Sequence, residues 1–540
     1  MNNNIKEYGY IRVSSKTQNV DRQIKMMKER GIPDKRIYID KMSGRNFERK
    51  QYKKLLAKLD SNAVLYIPEI DRLGRNYEEI LELVFKISYL CLAFATFISI
   101  IYISPIQPIL VKLTLVLGLF VILVRIINRK KYRKMPCLIL MIFFCLSFLF
   151  STFMNRQYGM TDNLKWILWT GIQFFALYVC DLDRDTEKYR KEFNILSHLM
   201  IIVTSVSAVT SLVMMVQSYS EYLTTPEGEF IVTGYTWDRL WGVYTDPNYG
   251  AVFSVIGFIL AVLFIFQQKG IKKLFYVIAA LLNLGYVTYS DSRTGEIAFV
   301  LCGGFLLYFC LIHRKSENKK YRYVKNLLIV LCIMIVSVGG MQVLKTENTR
   351  YQTEMANKTA QKTTKPQTTI STKTKKGNKI QTARHENIEK DATNGRISLW
   401  KSAVEVWQTS PIYGAGYSTF ISYAKEHVPE TYAVNNEVGD YTSMHNAFFN
   451  TLAFQGILGF VLFLLITFRI IQYVLVPVFK KSDSDSLYLI AILAVAGTVL
   501  ISMLLLLDGI YTNSPSAFAL WVFSGYLVQY SYQVRREEKG

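Results

Sequence analysis

Cysteine is scarce and poorly placed for cross-linking. The 540 residues include seven, Cys91, Cys137, Cys145, Cys180, Cys302, Cys310 and Cys332, all in or beside apolar runs and none in the hydrophilic stretch 345–445. A disulfide framework is therefore excluded, and no Cys/His spacing suits a metal ion. A cleavable amino-terminal signal is missing as well, because the start is polar and its first strand-like run is short. Acids and bases are nearly absent from the long apolar runs. That argues against a transporter, whose spans place ionisable residues or broken helices near mid-membrane. An outward Asp-x-Asp for holding a cation is also lacking. Asp483-Ser-Asp485 has the form, but it falls in a loop expected on the cytoplasmic side and reads as a solvated linker. No metal and no cofactor are expected.

What is present divides near residue 80. Hydrophobic residues make up 51% of the chain, against 19% charged, and the mean hydropathy is +0.19. That mixture fits a polytopic membrane protein with charged loops. The formal net charge is +22. Such an excess could suggest nucleic acid or anionic lipid, but much of it sits between apolar runs, where membrane orientation accounts for it.

Residues 1–82 read as an α/β unit. Strands are expected at Tyr8–Val13, Arg36–Ile39 and Ala63–Ile67, and helices at Asp21–Arg30 and Arg49–Leu59. Chemistry-bearing residues follow the strands: Tyr10-Ile-Arg12-Val-Ser14-Ser15, then Asp40-Lys-Met-Ser43-Gly44 with Arg49, then Asp71-Arg72-Leu-Gly-Arg75. A hydroxyl ringed by guanidiniums suits attack on a phosphodiester, although any single arginine is as well explained as a solvated face. Together the three motifs resemble the catalytic domain of the serine recombinases. The resemblance implies Ser14 as the nucleophile, Arg12, Arg49, Arg72 and Arg75 as DNA-phosphate ligands, and Asp71 as support. In that family a further strand, a long dimerisation helix and a DNA-binding module follow. Here residues 76–85 begin a helix that runs into an apolar stretch, so a truncated domain, inactive in strand exchange, is expected. A recombinase tethered to membrane is the alternative.

From residue 83 the fold class is mainly α. About twelve spans are expected, centred on 84–103, 106–124, 137–154, 164–180, 195–217, 249–267, 271–290, 295–312, 324–344, 446–468, 487–507 and 515–533. Lys/Arg-dense short loops alternate with sparse ones, which puts both termini in the cytoplasm of a multi-pass plasma-membrane protein. The domains follow: 83–344 with nine spans, an outer loop 345–445 whose part 345–395 is expected to be flexible, 446–534 with three spans, and a tail 535–540.

The sparse outer loops hold isolated arginines. Arg239 lies in Arg239-Leu-Trp-Gly242 ahead of Asp246-Pro247-Asn248, Arg293 lies in Ser292-Arg293-Thr-Gly295, and Arg396 opens an amphipathic helix carrying Trp400 and Trp407. Pro411-Ile-Tyr-Gly414-Ala-Gly416 follows, and His445-Asn446 precedes the next span. Guanidiniums at an outer surface suit a lipid diphosphate, and a histidine there can take a proton near neutral pH. Each residue alone could equally be an interfacial anchor or a helix cap. His198, His313, His385 and His427 read as structural or solvated. In order and spacing the set resembles the O-antigen ligase/polymerase superfamily over about 100–530. The resemblance implies transfer of a glycan from a polyprenyl-diphosphate-linked oligosaccharide to an acceptor hydroxyl outside the bilayer. Arg293 and Arg396 would hold the diphosphate, Arg239 would assist and His445 would activate the hydroxyl.

Overall fold

The computed structural model describes residues 6–13, 20–41, 50–59, 63–67, 77–127, 130–178, 181–224, 230–312, 319–363, 395–437, 439–478, 486–506 and 508–537. The chain divides into two compact units, Met1–Lys86 and Ile87–Gly540.

The first unit is built on a parallel sheet of β1 (Lys6–Val13), β2 (Ile37–Lys41) and β3 (Ala63–Tyr66), in the order β2-β1-β3. Two helices, α1 (Val20–Glu29) and α2 (Lys50–Leu56), lie in the connections. Successive β1 side chains take opposite faces. Tyr8 and Tyr10 pack with Tyr38 and Leu55 on one, while Ile11 packs with Met27 and Ile32 on the other. Asp40, buried at the end of β2, accepts hydrogen bonds from Tyr10 Oη (3.1 Å) and from the backbone N–H groups of Gln51 (3.3 Å) and Tyr52 (2.9 Å). One carboxylate thus fixes the central strand and caps α2. The expected α/β alternation is present. The unit boundary falls within the helix Tyr77–Phe97.

Among the described residues nine helices are long and apolar enough to cross a membrane: Ile80–Phe97, Ile106–Ile127, Thr186–Val216, Pro247–Gln267, Ile271–Ser290, Arg293–Leu311, Tyr323–Met355, Ala447–Tyr473 and Tyr488–Leu505. The count of twelve is not confirmed. The three other expected spans are helical but fall short for distinct reasons. Leu138–Met154 has 17 residues. Thr161–Ile172 carries Asp162, Asn163 and Lys165 and passes into a widened turn at Gln173–Leu177. Pro515–Glu537 is interrupted by Ser524, Gln529, Ser531 and Gln533, and its polar groups turn inward. Tyr526 Oη donates to Glu192 (2.7 Å), and Gln529 and Gln533 donate to the carbonyls of Arg184 and Leu182.

The expectation of a flexible 345–395 needs correction in its first part. The helix Lys319–Thr363 continues through residues 345–363. A span already supplies the helical nucleus, so extending it costs little even through a polar sequence. The extension is also held: Lys345 Nζ pairs with Asp291 (2.9 Å) and with Glu296, and Gln352 Nε2 donates to the Met215 carbonyl (2.8 Å). Residues 364–394 lie outside the described residues.

Two irregular features of the second unit prepare the site. An antiparallel meander of β4 (Ser220–Thr224), β5 (Phe230–Thr236) and β6 (Arg239–Gly242) turns tightly at Trp237 and Asp238, both with positive φ (52° and 56°). That is the geometry that matches strand twist in a two-residue hairpin. Arg239 is the first residue after it. Further on, the helix Ala447–Val478 is broken at Gly456 (φ 63°). The chain 411–416 lies across the break. Ala415 N–H donates to the Ala453 carbonyl (2.8 Å), Gly416 N–H to Phe454 (2.9 Å), and Ile457 N–H to Pro411 (2.8 Å). Groups freed by the break are therefore satisfied by another backbone segment, as burial among spans demands. A Cβ on Gly414 (φ 67°) would stand 2.6 Å from both the Ala453 oxygen and the Gly456 nitrogen, so a side chain is sterically excluded there.

Candidate active site

Arg293, Arg396 and His445 sit at, or within two residues of, the start of a helix, whereas Arg239 opens β6. Asp246 is the N-cap of Pro247–Gln267, its carboxylate accepting from the N–H groups of Asn248 (2.6 Å) and Tyr249 (3.3 Å). Arg293 is the first helical residue after the N-cap Ser292, whose Oγ accepts from Gly295 N–H (3.2 Å). Arg396 is the first residue of Arg396–Thr409 after Gly395 (φ 76°). Asn446 follows His445 directly and accepts from the N–H groups of Phe448 (2.9 Å) and Phe449 (3.2 Å).

Electrostatic contact joins these helix starts. Arg396 is half-buried, and burial first and the Arg293 guanidinium second hold its pKa below the usual arginine value. Burial also pulls His445 below the usual histidine value, helped by Arg396 and opposed by Asp246 and by a hydrogen bond to the backbone of Leu506. Arg293, Arg396, His445 and Asp246 thus form one cluster, although they are far apart in sequence. Helix N-termini carry unpaired N–H groups and partial positive charge, so such a cluster suits an anion.

Arg239 stands beside it. Its Nε donates to the Ser290 carbonyl (2.9 Å), two residues before the Ser292 cap, and its guanidinium donates to Asn248 Oδ1 (2.9 Å). Arg239 thereby ties the β5–β6 turn to the starts of two of these helices.

The imidazole of His445 leaves one ring nitrogen unused. Its Nδ1 is buried and has no hydrogen-bond partner. The Leu506 backbone acts on the ring in the opposite sense to burial, favouring its protonated form. The backbone at His445 is left-handed (φ 51°), a conformation costing a non-glycine residue about 1 kcal/mol. The other described histidines do different things. His198 bonds Tyr276 Oη through Nε2 (2.8 Å), and His427 stacks on Tyr423 at 4.1 Å.

Sequence reading missed Asp246 as the acidic neighbour of His445. Its signal was available, since Asp-Pro is an N-cap followed by the residue best suited to the first helical position. It also missed Asp508, a buried carboxylate on the far side of the His445 loop, for which no local pattern exists. Among the described residues no group of three His, Cys, Asp or Glu side chains is placed to hold a metal ion.

Of the recombinase-type candidates, Arg12 lies in β1, in register with Asp40. Its side chain lies outside what is described, as do Ser14, Arg49, Asp71, Arg72, Arg75 and Asp483-Ser-Asp485.

Comparison with known proteins agrees with both resemblances. Residues 7–100 match the family model described as resolvase, N terminal domain, and residues 278–464 match that described as O-Antigen ligase. The chain joins a resolvase-type segment to an O-antigen-ligase-type segment. Arg293, Arg396 and His445 fall inside the second match, and Arg239 lies upstream of it. The first segment is 40% identical over 76 residues to the R46 site-specific recombinase of Escherichia coli, covering 14% of this chain and 40% of that protein. It is 35% identical over 80 residues to the Transposon Tn1546 resolvase of Enterococcus faecium, covering 15% and 41%. A resolvase of Clostridium perfringens is 32% identical over 79 residues, covering 15% and 42%. The chain thus spans about two-fifths of the length of these relatives.

Proposed function

We propose that the second unit is a membrane glycosyltransferase that moves a glycan from a polyprenyl diphosphate to an acceptor hydroxyl on the outer face. The observation that carries this reading is the single cluster of Arg293, Arg396 and His445, with Nδ1 of the histidine buried and unpartnered. In the proposed reaction His445 Nδ1 takes the proton of the acceptor hydroxyl as its oxygen bonds to the anomeric carbon. The bond from that carbon to the diphosphate oxygen breaks, and the diphosphate leaves with the electron pair. Arg293 and Arg396 hold its oxygens bidentately and never lose their charge. Arg239 assists by fixing the starts of the helices beside them. The sparse Lys/Arg of the short loops bearing Arg239 and Arg293 supports an outward-facing site, and the dense loops 125–134 and 269–273 with the Arg535-Arg536 tail support cytoplasmic termini on an even span count. His445→Ala and Arg396→Ala should each abolish surface polysaccharide while the protein still inserts in the membrane. Unchanged polymer in both would sink the assignment.

The amino-terminal unit invites a second reading, DNA strand exchange with Ser14 as nucleophile. Its basis is the resolvase match and identities of up to 40%. We infer instead that this segment is inactive in strand exchange. Only about two-fifths of the relatives' length is shared, and membrane-type helices follow it. A serine-linked cleavage product from supercoiled DNA incubated with the purified protein would overturn that inference.

A further inference from the structure

The loop that bears His445 is held from behind by a chain of hydrogen bonds that the transfer chemistry itself does not use. Asn450 is buried one turn into the following helix. Its Oδ1 accepts from the backbone N–H of Met444 (2.7 Å), and its Nδ2 donates to Ser443 Oγ (3.1 Å). Ser443 Oγ in turn accepts from the backbone N–H of His445 (3.2 Å). The same Nδ2 of Asn450 donates to Oδ2 of Asp508 (3.2 Å). Asp508 is buried, and its Oδ1 accepts from the N–H groups of Ile510 (2.7 Å) and Tyr511 (2.9 Å). It therefore closes the turn after the helix Ser486–Leu505. Asn446 adds a second tie, donating to the Leu504 carbonyl (3.0 Å).

Two separate segments thus converge on one histidine, and the Asn450–Asp508 bond is the side-chain link between them. We propose that Asn450 and Asp508 are paired positioning residues, which hold His445 left-handed and its ring turned so that Nδ1 faces the substrate. Neither touches the reacting atoms. The pairing has a directional logic. The Met444 N–H can only donate, so Asn450 turns its oxygen to it and presents its amide nitrogen to Asp508, which as a carboxylate accepts. A fixed amide orientation then fixes Ser443 and, through it, the His445 backbone.

That logic supplies the test, which rests on His445 acting as proposed above. Asn450→Asp sets two carboxylates face to face, and Asp508→Asn sets two amide NH2 groups face to face. The double variant Asn450→Asp/Asp508→Asn restores one donor and one acceptor across the same gap, and the carboxylate introduced at position 450 still accepts from the Met444 N–H. Membrane vesicles from the host, supplied with its own lipid-linked oligosaccharide, report the rate of polymer formation at matched protein level. Each single variant should lose on the order of tenfold or more in maximal rate, with the half-saturating oligosaccharide level little changed, and the double variant should recover most of the loss. Single variants at the unaltered rate would overturn the proposal. So would a double variant as slow as the singles while equally abundant in the membrane. Where a single variant does not accumulate, Ser443→Ala carries the test, because it removes the one hydroxyl that accepts from both the His445 N–H and Asn450 Nδ2 while leaving the Asn450–Asp508 bond in place. A severalfold slower rate supports the chain of bonds, and an unchanged rate overturns it. A His445→Ala variant that retains full rate marks the failure of the functional reading instead.

Discussion

The two units place their candidate chemistry at opposite kinds of element ends. In the amino-terminal unit Arg12 lies near the end of β1 and the other candidates come after the strands in sequence, and the sheet has a core of tyrosines, leucine, isoleucines and Met27. In the membrane unit Arg293, Arg396 and His445 sit at or near the amino ends of helices and Arg239 opens a strand beside them, and the positions of those helix ends are set by caps and by hydrogen bonds to other segments. The difference shows how much neighbouring structure each site needs. A strand-end site needs long connections to close over it. A helix-start site gains its anion affinity from the backbone itself, so a few caps and two guanidiniums suffice.

Experiments can break this comparison, beginning with the largest effects. Replacing His445 by Ala should cost about 10²–10⁴-fold in transfer rate, the range for removing a general base. Arg396→Ala should follow with a loss on the order of 100-fold, and Arg396→Lys should recover only part of it, because a point charge cannot reproduce two-point contact with phosphate. Both are read as polymer formed per membrane-inserted protein. Gly414→Ala should act on stability rather than chemistry. The added Cβ meets backbone at 2.6 Å and the left-handed φ penalises a side chain, so folded yield and thermal midpoint in detergent should both fall, by at least about 1–3 kcal/mol equivalent.

The pH dependence should be milder and of definite sign. Burial and Arg396 favour the neutral imidazole of His445, and the neutral form is the base. The rate should hold through neutrality and fall only below the ordinary histidine range, as the ring protonates. A rate that declines already above that range would show that the ring is not desolvated as described. Deleting residues 1–82 should have the smallest effect of all. Surface glycan at the level of the full chain would show the first unit to be dispensable for transfer, and a drop would reveal a role for it in the membrane enzyme.

Much of this was legible in the chain. Parallel α/β order follows from short apolar runs punctuated by Gly31 and Pro33, and most spans follow from apolar length alone. Arg239 and Arg293 stand out because Lys and Arg are otherwise rare in their short loops, and Arg396 and His445 because one opens an amphipathic helix and the other precedes a span. What escaped reading depends on contacts distant in sequence. Asp508 acts on residues 443–450 from another helix end, and no window of sequence contains both. The helical course of 345–363 was hidden because its composition is that of a solvated linker, whereas its structure is inherited from the span before it and held by Lys345. The twelve-span count is not confirmed, because apolar runs such as Pro515–Glu537 contain polar residues that face protein rather than lipid.

That extended helix also bears on how such a sequence can change over generations. From Lys345 to Thr363 it adds roughly 28 Å of helix at 1.5 Å per residue beyond the last apolar turn. The Thr- and Lys-rich tract 364–394 joins the end of this arm, while the contacts of Lys345 with Asp291 and Glu296, beside Arg293, are made at its base. Insertions or deletions beyond Thr363 leave those contacts untouched, so changes there accumulate over generations without moving the base of the arm from Arg293.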